Sequence, residues 1–122
     1  MACVAVTAAP GVAMAAAKPA SGPRLAGCNE SSAVRPTRYN PICNDGAYTV
    51  ISLHWARWAR TAVGLGKFYD HGRLYPVELT AWRVSRGDYT RLRYDFPLRV
   101  PAGFKRAWTI RYDGHAWHGR VV

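Results

Sequence analysis

The side chains able to do covalent or acid–base chemistry in this chain are few, and their spacing argues against it. The four histidines are His54, His71, His115 and His118. A zinc site needs three or four converging ligands. His115 and His118 are three apart in an extended run and so point to opposite faces, and His54 lies on the face opposite Trp55. Neither a metal nor a cofactor is expected. Ser52 and His54 share a strand face two residues apart, the beginning of a nucleophile–base pair, but no Gly-x-Ser-x-Gly elbow accompanies them. Asp70 and Glu78 come nearest to the carboxylate pair of a glycosidase. Gly64 and Gly66 fall inside a strand rather than before a helix, so they form no phosphate loop. The chain reads as no enzyme; a small extracellular hydrolase using His54 or Asp70 is kept as an alternative.

Binding chemistry has more to work with. Trp55, Arg57, Trp58 and Arg60 lie within six residues, and arginine and tryptophan together hold sugars or bases. The same tryptophans serve equally as core, with the arginines incidental. Seventeen Lys and Arg face seven Asp and Glu, a formal charge of +10, and fourteen of the seventeen are arginine. That balance favours an anionic partner: a phosphate-bearing cell-wall polymer, nucleic acid or acidic lipid. A GC-rich coding bias, which enriches Ala, Arg, Gly and Pro together, explains the same composition. The candidate binding residues are Arg57, Trp58, Arg60, Arg91 and Arg93, with Arg106 nearby. Arg86-Gly87-Asp88 matches an adhesion tripeptide and is equally a hairpin turn.

The elements that must position these residues are strands. Thr49, Ile51, Leu53 and Trp55 alternate with Tyr48, Val50, Ser52 and His54; both sets are fairly apolar, which predicts a central strand. Ala62, Gly64 and Gly66 share one nearly bare face of the next strand, leaving room for Trp55 and Trp58. Asp70-His71-Gly72 turns the chain, Pro76 opens a strand over 77–84, and residues 85–88 make a tight connection. Over 89–96, Thr90, Leu92, Tyr94 and Phe96 face inward and Arg91, Arg93 and Asp95 face water. Asp113-Gly114 predicts a two-residue type I′ hairpin pairing Tyr112 with His115 and Ile110 with Trp117. Short strands with turns every 8–12 residues indicate an all-β protein, a small antiparallel β-sandwich or barrel.

The first forty residues differ. Residues 1–17 read as a signal peptide, apolar and small, ending in Ala13-Met14-Ala15 and Ala15-Ala16-Ala17. No Lys or Arg precedes the apolar run, which a start further upstream would explain. Residues 18–42, rich in proline and serine, read as a flexible arm, and 43–122 as the β-domain. Leu25-Ala26-Gly27-Cys28 has the form of a lipobox, but Lys18 and Arg24 intervene. Export favours a disulfide between Cys28 and Cys43, worth about 3 kcal/mol in the chain-entropy model. No segment is suited to span a membrane, and a monomer is expected.

Leu53-x-Trp55-x-x-Trp58-x-x-x-Ala62-x-Gly64-x-Gly66, with Asn44-Asp45-Gly46, Tyr75-Pro76-Val77 and Tyr89-Thr90-Arg91-Leu92, resembles a family of small secreted β-domain proteins of high-GC Gram-positive bacteria. The resemblance covers about residues 43–96 and implies export and a compact β-fold, with no assigned activity. Members often carry two more cysteines after the glycine strand, where this chain has Asp70-His71-Gly72-Arg73-Leu74. The expectation is a secreted, non-catalytic binding module whose partner is an anionic extracellular polymer. The alternative is an inhibitor or effector that docks a secreted protein through residues 70–74.

Overall fold

A computed structural model describes residues 22–28, 32–42 and 48–119. The protein is all-β. Six strands, β3 (Val50–Trp58), β4 (Ala62–Asp70), β5 (Arg73–Ser85), β6 (Asp88–Asp95), β7 (Ala107–Tyr112) and β8 (Trp117–His118), pair in chain order as one antiparallel meander. Two short strands, β1 (Leu25–Ala26) and β2 (Ser32–Ala33), form a separate antiparallel pair. No helix among the described residues is long and apolar enough to cross a membrane. Residues 1–17, read from the sequence as a signal peptide, and Cys3 and Cys43 lie outside the described residues.

Turn chemistry sets the meander's register. The β4–β5 loop is His71-Gly72 (φ 49° and 79°) and the β5–β6 loop is Arg86-Gly87 (φ 54° and 84°). Two positive φ values in a two-residue loop make a type I′ turn, whose twist matches that of the flanking strands. Pro76 lies within β5 rather than at its start. Its missing N–H costs little, because β6 pairs with β5 only from Glu78 onward.

One face of the meander is the core. Phe68 meets Tyr94, Phe96 and Phe104 edge-on, with ring centroids 6.0, 5.2 and 5.3 Å apart, and Tyr94 stacks on Trp108 at 3.9 Å. Such pairs add about 0.5–1.5 kcal/mol each beyond burial, which helps a domain too small for a large aliphatic core. Ala62, Gly64 and Gly66 do leave room for larger neighbours. A Cβ on Gly64 would lie 2.7 Å from Trp55 Cε3, and one on Gly66 would lie 2.8 Å from Val50 Cγ1. Trp55 thus covers Gly64, while Val50 and Leu53 cover Gly66.

The first strand corrects two expectations. β3 is an edge strand of the meander, not a central one. Its outer edge is covered by residues 37–39: Tyr39 and Val50 exchange backbone hydrogen bonds of 2.9 and 2.8 Å, and Leu53 N–H donates to Thr37 O at 3.0 Å. Its alternation is also broken twice. The register with β4 slips between Ile51 and His54, where Ser52 has φ 54°, and again between Trp55 and Arg57. Each bulge places residues three apart on one face. Val50 and Leu53 therefore both point inward, and so do Trp55 and Trp58.

Within residues 18–42, read from the sequence as a flexible arm, three described side chains join the core. Leu25, Ala26 and Tyr39 are buried. Ala26 O accepts from Tyr39 Oη at 2.6 Å and from Trp117 Nε1 at 2.8 Å. Arg24 joins the start of β6, donating to Gly87 O and accepting from Tyr89 N–H. Proline and serine lower the hydrophobicity of this segment without removing these anchors, and composition averages them away.

The last hairpin also differs. Tyr112 pairs with Trp117 and Arg111 with His118, so the loop holds four residues rather than two. Asp113 Oδ1 accepts from the N–H groups of His115 and Ala116 at 2.7 and 2.9 Å. This Asp-centred turn competes successfully with the type I′ form. The added length is even, so Trp117 still faces the core, while His115 moves into the exposed loop.

Candidate functional site

The outer face of the sheet is organised in rows, each made of residues paired across successive strands. One row runs Trp82, Arg91, Arg111, His118 over β5 to β8. The next runs Arg57, Val63, Thr80, Arg93, Thr109 over β3 to β7. A third runs His54, Leu65, Glu78, Asp95, Ala107. Neighbouring strands are about 4.8 Å apart, and rows two residues apart are separated by about 7 Å. The first two rows thus form a basic band one residue-pair deep, with Glu78 and Asp95 along one side and Asp113, 2.7 Å from His118, on the other.

Three of the five expected binding residues share this face. Arg91 lies directly between Trp82 and Arg111, and Arg93 occupies the adjoining row with Arg57 at its far end, about 14 Å away across three strand spacings. Like charges placed opposite one another are destabilising, so the Arg91–Arg111 pair is poorly explained by folding. Arg93 Nε meets Asp95 Oδ2 at 3.2 Å. Arg91 donates to Thr90 O at 2.9 Å. Arg57 and Arg111 form no ion pair among the described residues.

The other two residues do not belong to it. Trp58 is packed: its Nε1 donates to Pro23 O at 2.9 Å, and its ring meets Trp55 and Tyr89 edge-on. The bulge at Ala56 turns it inward, so the expected ligand platform of Trp58 beside Arg57 is replaced by core packing. Arg60 lies in the exposed β3–β4 loop, clear of the rows. Arg106 holds the 96–106 loop by donating to Phe96 O and Leu98 O.

Sequence reasoning missed Trp82, Arg111 and His118. Trp82 stands apart from the other tryptophans. Trp55, Trp58 and Trp117 donate their indole N–H to backbone carbonyls, and Trp108 stacks on Tyr94. Trp82 makes no ring contact or indole hydrogen bond among the described residues, and it is half-exposed beside Arg91. The signal was available in the 89–96 alternation, but joining it to Trp82 and Arg111 requires both hairpin registers.

The remaining candidates stay apart. Among the described residues no three His, Cys, Asp or Glu side chains gather as metal ligands. Ser52 and His54 border a shallow hollow with Lys67, Pro76 and Pro97, with no hydrogen bond between them and no carboxylate among its described lining residues. Asp70 pairs with His71 at 3.1 Å, and Glu78 lies opposite Leu65, five residues from Asp70 along β4, roughly 17 Å. Arg86-Gly87-Asp88 closes a hairpin. Its tip borders a groove of about 500 Å³ that also includes Thr90, Tyr112, Asp113 and His115. Burial raises the Asp88 carboxyl, with Arg24 opposing the rise. The N–H groups of Ala116 and His115, and then His118, hold Asp113 well below the usual carboxylate range. Its Oδ2 lies 2.7 Å from His118 Nε2.

Compared with known protein families, curated proteins and solved structures, the chain matches none.

Proposed function

We propose that the protein is a secreted, non-catalytic module that binds an anionic extracellular polymer on the outer face of β5–β7. The observation that carries this reading is the row Trp82, Arg91, Arg111, His118, in which two arginines sit opposite one another without a carboxylate between them. A polyanion laid across the strands relieves their repulsion and exchanges small counterions for arginine contacts. Arg93 and Arg57 extend the same face. The Cys28–Cys43 bridge belongs to this reading of an exported protein. Cys28 N–H donates to Asn40 O at 3.1 Å, which brings residue 28 beside the chain three residues before Cys43. A mass two units below that of the reduced chain, in protein recovered from the medium, tests export and bridge together.

The binding test is a titration of the protein with purified phosphate-bearing wall polymer at rising NaCl. Affinity should fall steeply with salt, and Arg91→Gln/Arg111→Gln should weaken it and flatten the salt dependence by about one unit of log–log slope per arginine. Binding that ignores salt, or no binding at low salt, sinks the proposal. A second reading rests on the β4–β5 tip, where Tyr69 and Leu74 pair across the strands while both remain exposed beside His71. On that reading the partner is a secreted protein, and substitutions at Tyr69 and Leu74, not at the arginines, abolish capture.

A further inference from the structure

We propose that the row Trp82, Arg91, Arg111, His118 recognises a glycosyl phosphate: a pyranose ring lies on the Trp82 indole, and the phosphate attached to it sits between Arg91 and Arg111. This rests on the anionic-polymer reading above and names the repeating unit that the face selects.

The order of side chains along the row carries the inference. Trp82 is one strand spacing from Arg91 and two from Arg111, about 5 and 10 Å. A ligand that uses all three must therefore present a ring face with an anion bonded directly to that ring. A polyanion without rings leaves Trp82 unused. Trp82 is the tryptophan with neither a ring partner nor an acceptor among the described residues. An indole face takes the C–H face of a sugar as it takes a base.

The neighbouring rows separate sugar from base. Thr80 and Thr109 flank Arg93 in the second row, and Glu78 and Asp95 pair across the strands in the third. Glu78 makes no ion pair among the described residues. Hydroxyl-rich units find donors and acceptors there, since a carboxylate accepts from sugar hydroxyls. The closely spaced phosphates of a nucleic acid strand would meet these carboxylates as like charges as soon as the strand left the first two rows. The face is a narrow basic band with an acidic border, suited to sparse anions set among hydroxyls.

The test compares three probes of matched charge by calorimetry: a polymer of hexose 1-phosphate repeats, poly(glycerol phosphate), which has no ring, and a single-stranded oligonucleotide. The hexose polymer should bind about tenfold or more tighter than poly(glycerol phosphate). Trp82→Ala should remove that preference, bringing the hexose polymer down to the affinity of poly(glycerol phosphate). Trp82→Phe, which keeps a ring at the same exposed position, should retain part of it and guards against misfolding of the alanine variant. Equal affinity for the two polymers overturns the glycosyl reading while leaving the anionic face standing. Tightest binding to the oligonucleotide overturns it in favour of base stacking. No binding to any of the three, with Arg91→Gln/Arg111→Gln behaving as wild type, overturns the anionic face itself.

Discussion

Gly64→Ala tests the packing on which the whole first hairpin depends. The added methyl would lie 2.7 and 2.8 Å from Cε3 and Cδ2 of Trp55 and 3.1 Å from Cζ3. Separations below 3.0 Å cannot persist, so either the strand or the indole must move. Trp55 is not free to move. Its Nε1 donates to Pro36 O at 2.8 Å, and its ring meets Trp58 at 4.7 Å, which in turn meets Tyr89 at 5.3 Å. Overpacking of this kind costs about 1–3 kcal/mol. Losing the indole hydrogen bond adds about 0.5–1.5 kcal/mol, and replacing a strand glycine returns about 0.5–1 kcal/mol. The net is a destabilisation centred on about 2 kcal/mol within a span of about 0.5–4 kcal/mol, and the central value is roughly 8–16 °C in Tm for a domain of this size. Urea unfolding followed by tryptophan fluorescence and by circular dichroism measures it. Trp55→Leu in the Gly64→Ala background should cost less than the sum of the two single changes, because the clash disappears with the indole. A neutral or stabilising Gly64→Ala, or strict additivity of the pair, refutes the packing of Trp55 on Gly64.

Four other outcomes follow from the same structure. Tyr39→Ala should destabilise by about 3–5 kcal/mol in urea unfolding, the cost of removing a buried aromatic ring, whereas a loosely attached arm would make it nearly silent. Arg111→Gln should stabilise the fold by about 0.2–1 kcal/mol in low salt by relieving its pairing with Arg91, with the gain vanishing in 1 M NaCl; a gain that persists in high salt assigns the effect elsewhere. Asp113 is held below its unfolded pKa by the N–H groups of Ala116 and His115 and by His118. Its stabilisation is present above about pH 4 and is lost as pH falls from there toward its depressed folded pKa. Thermal melts from pH 5 to pH 2 should therefore show a flatter acid loss for Asp113→Ala than for wild type. Asp88, whose carboxyl is raised by burial, acts in the opposite sense, so Asp88→Asn should steepen that loss.

The strand β6 was legible because one side of it is wet: Leu92 and Tyr94 inward and Arg93 outward follow from alternation alone. β3 was not. Its bulges at Ser52 and Ala56 involve neither glycine nor proline, and a bulge converts an odd spacing into a shared face. Simple alternation therefore leaves Trp58 open as a surface residue beside Arg57 as well as a core one, when both tryptophans pack against the core. The edge position of β3 was hidden because residues 37–39 cover it and make its pattern look central. Charge alone marks Arg57, Arg91 and Arg93 individually, but their sharing of one face is a property of three successive pairing registers, β3–β4, β4–β5 and β5–β6. The placing of His118 beside Arg111 depends on whether Asp113 makes a type I′ turn or caps a longer loop, a competition decided by a single carboxylate. Alternation marks Trp82 as outward without saying what stands beside it.

The most direct test of the central claim is an amide chemical-shift map of the protein during titration with a phosphate-bearing wall polymer. The largest changes should cluster at Trp82, Arg91, Arg93, Thr109 and Arg111, and they should collapse as salt is raised. Changes concentrated at residues 70–74, or spread over the N-terminal segment and the core while the β5–β7 face stays silent, would contradict the claim.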